Sequence, residues 1–378
     1  MIPRPRANLG VGWGERCVVN GSVTAFYLFD VAQEIRLPAL KAALGSRVTD
    51  ATLTDKSPGQ PRLRYIQAPL IADGGDLGCA ELDGFRVRFK FYDYGVVSVM
   101  LTRDFQGDWP ALVSMGQELI ESEPLESHAT AACRVAMDAI RSALIGPRAN
   151  WLQEDYLVFA ITDAGGATTA DELLAAHGAD IAQLLRGERQ PLSPQERDEV
   201  LRHRLSYLTD DLVVPAWNAA FVYDTPAGVP ATLELLEFGN SQLLEFRYFD
   251  EQLESQLGRI YADLQRPRPF DRWTGWRHRR SARQLQAQLI EINELTDHAE
   301  NSLKFVGDVY AARLFTLVAT RLRLDDWKRN VQEKVKTLDD IYRFAVEQTS
   351  MAQANVLELT IVLIMVIELW LLIAGFIS

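Results

Sequence analysis

Residues Val356 to Ile377 read VLELTIVLIMVIELWLLIAGFI, a run that contains no Lys or Arg. A helix of this length, at about 1.5 Å per residue, reaches the roughly 30 Å of a bilayer's hydrocarbon core. The run therefore predicts a C-terminal transmembrane helix. Because only Ser378 follows it, we expect a single-pass tail anchor in an inner (cytoplasmic) membrane, with the bulk of the chain in the cytoplasm.

Three residues of this run are candidates for association within the membrane: Glu358, Glu368 and Trp370. A carboxyl group inside lipid costs several kcal/mol unless it is protonated or partnered. At 100° per residue, the two glutamates lie about 80° apart around a helix, so they can share one face. Three interpretations stay open: the face pairs anchors of several copies, the carboxyls have no consequence, or they conduct protons or ions.

Composition indicates a globular protein with a substantial core, since 48% of its 378 residues are hydrophobic and 24% are charged. The formal net charge of −12 excludes a generally basic nucleic-acid binder. Cys17, Cys79 and Cys133 are far apart and form no CxxC pair, so we expect reduced thiols, no metal site and no cofactor. The first residues contain no apolar leader, so we also expect no cleavable signal peptide.

The first part of the chain alternates between strand and helix signals. Val23 to Phe29 predicts a strand, and Ala32 to Leu44 has helical spacing. Phe85 to Phe91 alternates apolar residues with Arg86, Arg88 and Lys90, which is typical of a strand with one solvent-exposed face. Asp93 to Gly95 predicts a hairpin turn after it.

The same mixture continues to about residue 228. Tyr156 to Ile161 predicts another buried strand. Ser193, followed by Pro194 and Glu196, is a strong helix start, and we expect that helix to reach Leu208. Leu212 to Tyr223 predicts a strand in which Pro215 forces a bulge or an edge position. Because the order has no regular βαβ repeat, residues 1–228 are predicted to form an α+β head domain.

From residue 229 the apolar residues recur every three or four positions, in three stretches: 229–264, 285–317 and 331–345. This spacing predicts three long amphipathic helices that cover each other's apolar stripes. The predicted fold class is therefore α+β: a mixed N-terminal head, a long antiparallel, coiled-coil-like helical stalk over residues 229–350, and a transmembrane anchor over residues 351–378.

Polar residues of the predicted stalk form a candidate binding pocket. Asp308 and Arg313 are five positions apart in one predicted helix. A structural ion pair that fixes helix register is one interpretation, and a ligand pocket is the other. The pocket would contain Asn240, Glu245, Arg247, Tyr248, Asp308, Tyr310 and Arg313.

The connection between the first two predicted long helices is strongly basic in an otherwise acidic chain. If the helices return it to membrane level, its arginines can contact anionic lipid headgroups and its tryptophans the interface. RNA or ribosome contact, or a plain solvated connector, are the alternatives. The residues of this basic patch are Arg266, Arg268, Arg272, Trp273, Trp276, Arg277, Arg279, Arg280 and Arg283.

Four stretches of the C-terminal half resemble the Required for meiotic nuclear division family: GNSQLLEFRYFD (Gly239 to Asp250), FVGDVYAARLF (Phe305 to Phe315), WKRNVQEKVKTLDDIY (Trp327 to Tyr342) and LELTIVLIMVIELW (Leu357 to Trp370). The resemblance implies a membrane-anchored protein in a large homo-oligomeric assembly. It also implies a link to organellar protein synthesis, in a family with no established enzymatic activity.

The sequence contains no known catalytic motif. The favoured interpretation is a membrane-anchored, self-associating scaffold or interaction protein, which we expect to be a homo-oligomer rather than an enzyme. One alternative is a membrane-tethered factor that binds RNA or the ribosome and supports translation. The other is an enzyme that acts on a nucleotide or a lipid headgroup through the pocket residues.

Overall fold

The computed structural model describes residues 18–51, 68–79, 81–120, 122–265 and 309–377. Two compact units are formed. Of the described residues, those up to Leu244 and from Val309 to Leu322 belong to the first unit, and those from Glu245 to Gln265 and from Arg323 to Ile377 belong to the second.

A mixed sheet of nine strands forms the centre of the first unit. The strand order is β2-β3-β5-β6-β1-β7-β9-β8, and β4 pairs with β5 outside this path. β7 and β9 are parallel, and the other pairs are antiparallel. The strands are β1 (Val19–Ile35), β2 (Val48–Asp50), β3 (Leu70–Asp73), β4 (Glu81–Leu82), β5 (Phe85–Phe91), β6 (Val96–Gly107), β7 (Leu144–Asp163), β8 (Leu212–Pro215) and β9 (Ala219–Tyr223).

Eight α-helices occur in the described part of the chain, with short 3₁₀ turns beside some of them. α6 is long, and α8 is longer still with 54 residues. The helices are α1 (Leu37–Leu44), α2 (Trp109–Leu119), α3 (Glu123–Ala139), α4 (Ala170–Arg186), α5 (Pro194–Arg202), α6 (Val229–Gln265), α7 (Val309–Arg321) and α8 (Leu324–Ile377).

The predicted hairpin is confirmed as β5 and β6, which pair antiparallel with Phe89 opposite Val99. Gly95 has a φ of +92° in the connecting turn, a conformation that favours glycine because it has no Cβ. The Gly95 N–H donates to the Tyr92 carbonyl at 3.2 Å. The turn residues therefore set the register that the alternating pattern requires.

The predicted strand at Val23 to Phe29 is confirmed, but β1 is much longer and bonds to β6 and β7 along most of its length. It continues to Ile35, so the helix predicted from Ala32 begins only at Leu37. Pro38 lies in the first turn of α1, where a missing N–H costs nothing.

Proline also decides the edge of the sheet. The single strand predicted over Leu212 to Tyr223 is two antiparallel strands, β8 and β9. Pro215 is the last residue of β8, which is the outermost strand on that side, as expected for a residue that cannot donate to a further strand.

The predicted cap of α5 is confirmed: Ser193 Oγ accepts from the Glu196 N–H at 3.2 Å. The helix it starts ends at Arg202, before the predicted Leu208.

The two faces of the sheet differ in character. One carries the main apolar core, which includes Tyr27, Phe29, Phe89 and Phe159 together with side chains of α2, α3 and α4. The alternating residues, among them Lys90, belong to the opposite face, where α6 contacts them. Cys79 and Cys133 are free thiols, as predicted.

The predicted coiled-coil-like stalk is wrong. In the described part of the chain, α6 is buried on every side from Leu235 to Phe246, and its first half packs against the sheet and α7. Of the predicted second long helix, the structure describes the residues from Val309 onward, which lie in α7. Recurrence every three or four residues is produced by any apolar helix contact, so the pattern does not distinguish a sheet from a helical partner.

The predicted transmembrane helix, tail anchor and inner-membrane localisation are also contradicted. Among the described residues, no helix combines the length and the apolarity needed to cross a membrane. The apolar run whose side chains are described is Ile361–Ile367 in α8.

Candidate functional site

Polar and charged side chains are enclosed between the sheet and α6, which is unusual for an interface at the centre of a fold. Lys90 of β5 is 2% exposed, and Glu237 of α6 is 0% exposed. Buried charges of this kind require partners, because removing an ion from water costs several kcal/mol. The cluster around Lys90 is therefore the first candidate site.

Lys90 is held by two carboxylates of one helix. Its Nζ lies 2.7 Å from Glu234 Oε2 and also contacts Glu237 Oε2. Glu234 and Glu237 are three residues apart, so both project from the same side of α6. The Lys90 ammonium also lies 5.9 Å from the centre of the Tyr92 ring. We call Lys90, Glu234 and Glu237 the buried triad.

The electrostatics of the buried triad favour a charged lysine. Burial by itself would lower the pKa of Lys90, but the carboxylates of Glu234 and Glu237 outweigh it and hold that pKa above its usual value. Burial raises the pKa of Glu237, the charge of Glu234 adds to this, and Lys90 only partly opposes it. The triad thus contains a cation that keeps its proton and a carboxyl group that holds a proton more readily than an exposed glutamate.

Two further contacts extend the polar interface along α6. The hydroxyl groups of Tyr94 and Ser241 lie 2.8 Å apart and share a hydrogen bond. Ser98 of β6 pairs with Lys90 across the strands and its hydroxyl neighbours the Glu237 carboxyl. Ser241 follows Glu237 by four residues, so one side of α6 carries all of these contacts.

The opposite side of α6 packs against α7. A Cβ placed on Gly239 would lie 2.8 Å from Val318 Cγ1, so the glycine permits a close approach of the two helices. The rings of Phe238 and Phe315 are 5.7 Å apart beside it. At 100° per residue, Gly239 lies about 160° from Ser241 around α6. The helix is thus held on one side by polar contacts and on the other by apolar packing.

Of the predicted pocket residues, the described part of the first unit contains Asn240, Tyr310 and Arg313, and their assignment to a ligand pocket stays a prediction. Asn240 is buried and its side-chain amide donates to the Leu236 carbonyl at 2.8 Å. Tyr310 is buried with its ring 5.2 Å from that of Tyr207, whereas Arg313 is exposed. Asp308 lies outside the described residues.

The other pocket candidates belong to the second unit, where α6 continues beyond Leu244. They are Glu245, Arg247 and Tyr248. Glu245 is buried, and the rings of Tyr248 and Phe249 are 5.5 Å apart. Their assignment to a ligand pocket stays a prediction.

The basic patch from Arg266 to Arg283 lies outside the described residues. Of the three residues predicted to associate within a membrane, Glu358 and Glu368 fall within α8. Trp370, on the same helix, is 67% exposed. The structure therefore describes one of these predicted side chains, and it is open to solvent.

α8 carries a second candidate site, which is apolar. Ile361, Val362, Leu363, Ile364, Met365, Val366 and Ile367 are consecutive, and their exposed fractions range from 48% to 62%. Single exposed apolar residues are ordinary, but a contiguous group marks a surface that another molecule covers. We call Ile361–Ile367 the apolar segment.

Sequence reasoning missed the buried triad. The alternation of β5 showed correctly that Arg86, Arg88 and Lys90 share a face, but it does not show what covers that face. A signal was present in α6, where Glu234, Glu237 and Ser241 recur with helical spacing in a stretch rich in Leu and Phe. Carboxylates placed inside an apolar stripe indicate a buried cationic partner.

Comparison with known proteins places the sheet in a family. The model of the family described as "Uncharacterized protein MJ0711, N-terminal domain" matches residues 20–229, which nearly coincide with the span from β1 to β9. The uncharacterized protein MJ0711 of Methanocaldococcus jannaschii is 21% identical over 288 residues, which cover 76% of this chain and 82% of that protein. No solved structure matches.

These comparisons do not bear on the resemblance to the Required for meiotic nuclear division family, which stays a prediction. The match to the MJ0711 model extends over more than half of the 378 residues. The chain therefore belongs to the MJ0711 N-terminal domain family.

Proposed function

We propose that the protein is a self-associating scaffold or interaction protein whose copies associate through the apolar segment of α8. The observation that carries this proposal is the exposure of all seven side chains from Ile361 to Ile367. Apolar surface of this kind is driven out of water when a partner is available.

The distribution of these side chains around the helix indicates the kind of partner. Successive residues are rotated by 100°, so seven consecutive positions leave no gap wider than about 60°. The apolar segment is therefore apolar on every side, a property of helices that are enclosed by their surroundings. A partner that contacts only one side leaves the other exposed.

Magnitudes favour several copies over two. Each side chain is about half exposed, so covering the whole segment contributes on the order of 1 kcal/mol per residue, or roughly 7 kcal/mol per copy. In a dimer each segment is covered on one side, so about half of this free energy is gained, while association costs at least about 4 kcal/mol. In a bundle of more than two copies, each helix has two or more neighbours, so more of the apolar surface of the segment is buried.

The test is the mass of the full-length protein in solution. Sedimentation velocity of the wild type is compared with that of the double variant Leu363→Glu, Val366→Glu. We expect an assembly of more than two copies for the wild type. The variant should be monomeric, because carboxylates within a bundle of apolar helices lose their hydration.

The matched control is the double variant Val135→Glu, Val309→Glu. These residues lie on α3 and α7 and are 45% and 77% exposed, so the control adds the same charge to other exposed apolar sites. It should assemble as the wild type does. A monomeric wild type would contradict the proposal, and so would a wild type that floats with phosphatidylcholine vesicles and forms no assembly without them.

The two alternative functions have less support. RNA or ribosome binding depends on the basic patch, which lies outside the described residues. Lys90 and Glu237 of the buried triad are enclosed between the sheet and α6, so a substrate does not reach them without movement of α6. Both alternatives stay predictions.

A further inference from the structure

We infer that the buried triad is a site that binds one proton and that this proton controls how firmly α6 lies on the sheet. The triad places two carboxylates and one ammonium in an enclosed interface, Glu234 and Glu237 against Lys90. When all three groups are ionised, the triad carries a net charge of −1. One added proton makes it neutral.

Because the triad is buried, its net charge has a large effect on stability. The side chains of Lys90 and Glu237 are 3% and 0% exposed, and that of Glu234 is 13% exposed. An uncompensated charge in such surroundings is costly, because water cannot solvate it. Glu237 is the carboxyl group that takes the proton, since it is the more deeply buried of the two and burial favours its neutral form.

The groups that face Glu237 support a single site. β5 contributes Lys90, β6 contributes the Ser98 hydroxyl, and α6 itself contributes Glu234. On the same face of the sheet, Asp30 is compensated separately by Arg148 at 2.6 Å. On the side of α6 that faces α7, the contacts are apolar and include Val318 and Phe315.

The geometry couples the proton to the helix. Both carboxylates are on α6, and the ammonium is on β5 of the sheet, so a change of charge in the triad acts across the contact between them. With Glu237 protonated, Lys90 is neutralised by Glu234 at 2.7 Å. Without the proton, two carboxylates of one helix repel each other in the interface, and α6 is held less firmly.

The expected pH dependence has a definite sign. The pKa of Glu237 in the folded protein is raised above the ordinary value of 4.5. At a pH between 4.5 and the pKa of the folded protein, Glu237 keeps its proton in the folded state and has released it in the unfolded state. The stabilisation is therefore complete below pH 4.5 and is lost as the pH rises through the folded pKa. Within this interval the unfolding equilibrium constant should increase about tenfold per pH unit.

The experiment compares urea unfolding of the full-length wild type and Glu237→Gln between pH 4.5 and 8. The amide imitates the protonated carboxyl group, so the ratio of the wild-type to the variant unfolding equilibrium constant should rise about tenfold per pH unit. The matched control is Asp104→Asn, which removes a carboxylate that is 72% exposed and paired with Arg86. It should keep the pH dependence of the wild type. Parallel curves for the wild type and Glu237→Gln would overturn the inference.

Two further measurements separate a proton site from general stability. Hydrogen exchange of the α6 amides should show protection factors that fall with rising pH in the wild type but stay constant in Glu237→Gln. Where that variant fails to fold, carbon-13 NMR of glutamate carboxyl groups in the wild type decides. One carboxyl group should titrate clearly above the others, and uniform titration near pH 4.5 would overturn the inference.

Discussion

Lys90 and Glu237 are 147 residues apart in the chain, yet they form an enclosed ion pair that joins β5 to α6. α6 contacts α7 through apolar groups, so its polar contacts with β5 and the following turn determine where along the strand the helix lies. Apolar contacts tolerate small shifts because they have no direction, whereas a buried ion pair has one satisfactory geometry.

The first prediction concerns the cation of the buried triad. Lys90→Met leaves Glu234 and Glu237 without a counter-charge in a buried interface. We expect the free energy of unfolding, measured with urea at pH 7, to fall by about 3–5 kcal/mol.

Arg86→Met is the matched control for this variant, because Arg86 is on the same strand and its pair with Asp104 is exposed. Removing an exposed ion pair changes stability by at most about 1 kcal/mol. Equal effects of the two substitutions would show that Lys90 does not hold α6 on the sheet.

The second prediction separates stability from specificity. The triple variant Lys90→Met, Glu234→Leu, Glu237→Leu removes every charge of the buried triad, so no ion is left unpaired. We expect it to recover most of the loss caused by Lys90→Met, because apolar replacements of buried ion groups are often neutral or stabilising. A triple variant as unstable as the single variant in urea unfolding would mean that the charges are needed for more than mutual compensation.

Local patterns predicted the elements of the fold well, as β5 shows. Its alternation identified both the strand and the residues that share each face, because side chains in a strand alternate by geometry. The same pattern assigned Lys90 to solvent, and here it failed. What covers a face depends on a helix 144 to 147 residues further along the chain, and alternation contains no information about such distant partners.

The helical half shows the same limit. The recurrence that predicted α6 is real, but in the first unit Glu234 and Glu237 contact the sheet and Gly239 packs on α7. Asn240 was predicted to line a ligand pocket, and its side-chain N–H donates to the Leu236 carbonyl four residues before it. An amide within a helix can make such a local bond, and the sequence does not distinguish it from a binding role.

The third prediction concerns the turn between β5 and β6. Gly95 has a φ of +92°, and a methyl group on it would overlap the Ala32 carbonyl oxygen. Gly95→Ala combines a disfavoured backbone conformation with a collision against the main chain, which cannot rotate away. We expect a loss of at least about 2 kcal/mol in the free energy of unfolding.

Gly78→Ala provides the control for the turn. Gly78 has a similar φ of +80°, but a Cβ on it meets no atom within 4 Å. Its substitution therefore measures only the free-energy cost of placing alanine at a positive φ. We expect a cost of about 1 kcal/mol. If both variants unfolded at the same urea concentration, the close approach of β1 to the turn would be without energetic effect.

The fourth prediction concerns the contact between α6 and α7. A methyl group on Gly239 would lie 2.8 Å from Val318 Cγ1 and 3.4 Å from Leu322 Cδ1, so Gly239→Ala forces the helices apart and should cost about 1–3 kcal/mol. Alanine is intrinsically a better helix former than glycine by about 1 kcal/mol, which partly offsets this cost.

The single variant therefore cannot isolate the contact, but a second substitution can. Val318→Ala removes the colliding methyl groups. In the Val318→Ala background, Gly239→Ala should therefore cost less stability than it does in the wild type. A coupling energy of at least about 0.5 kcal/mol in this double-mutant cycle is expected for residues in direct contact, and additive effects would show that α7 does not pack on Gly239.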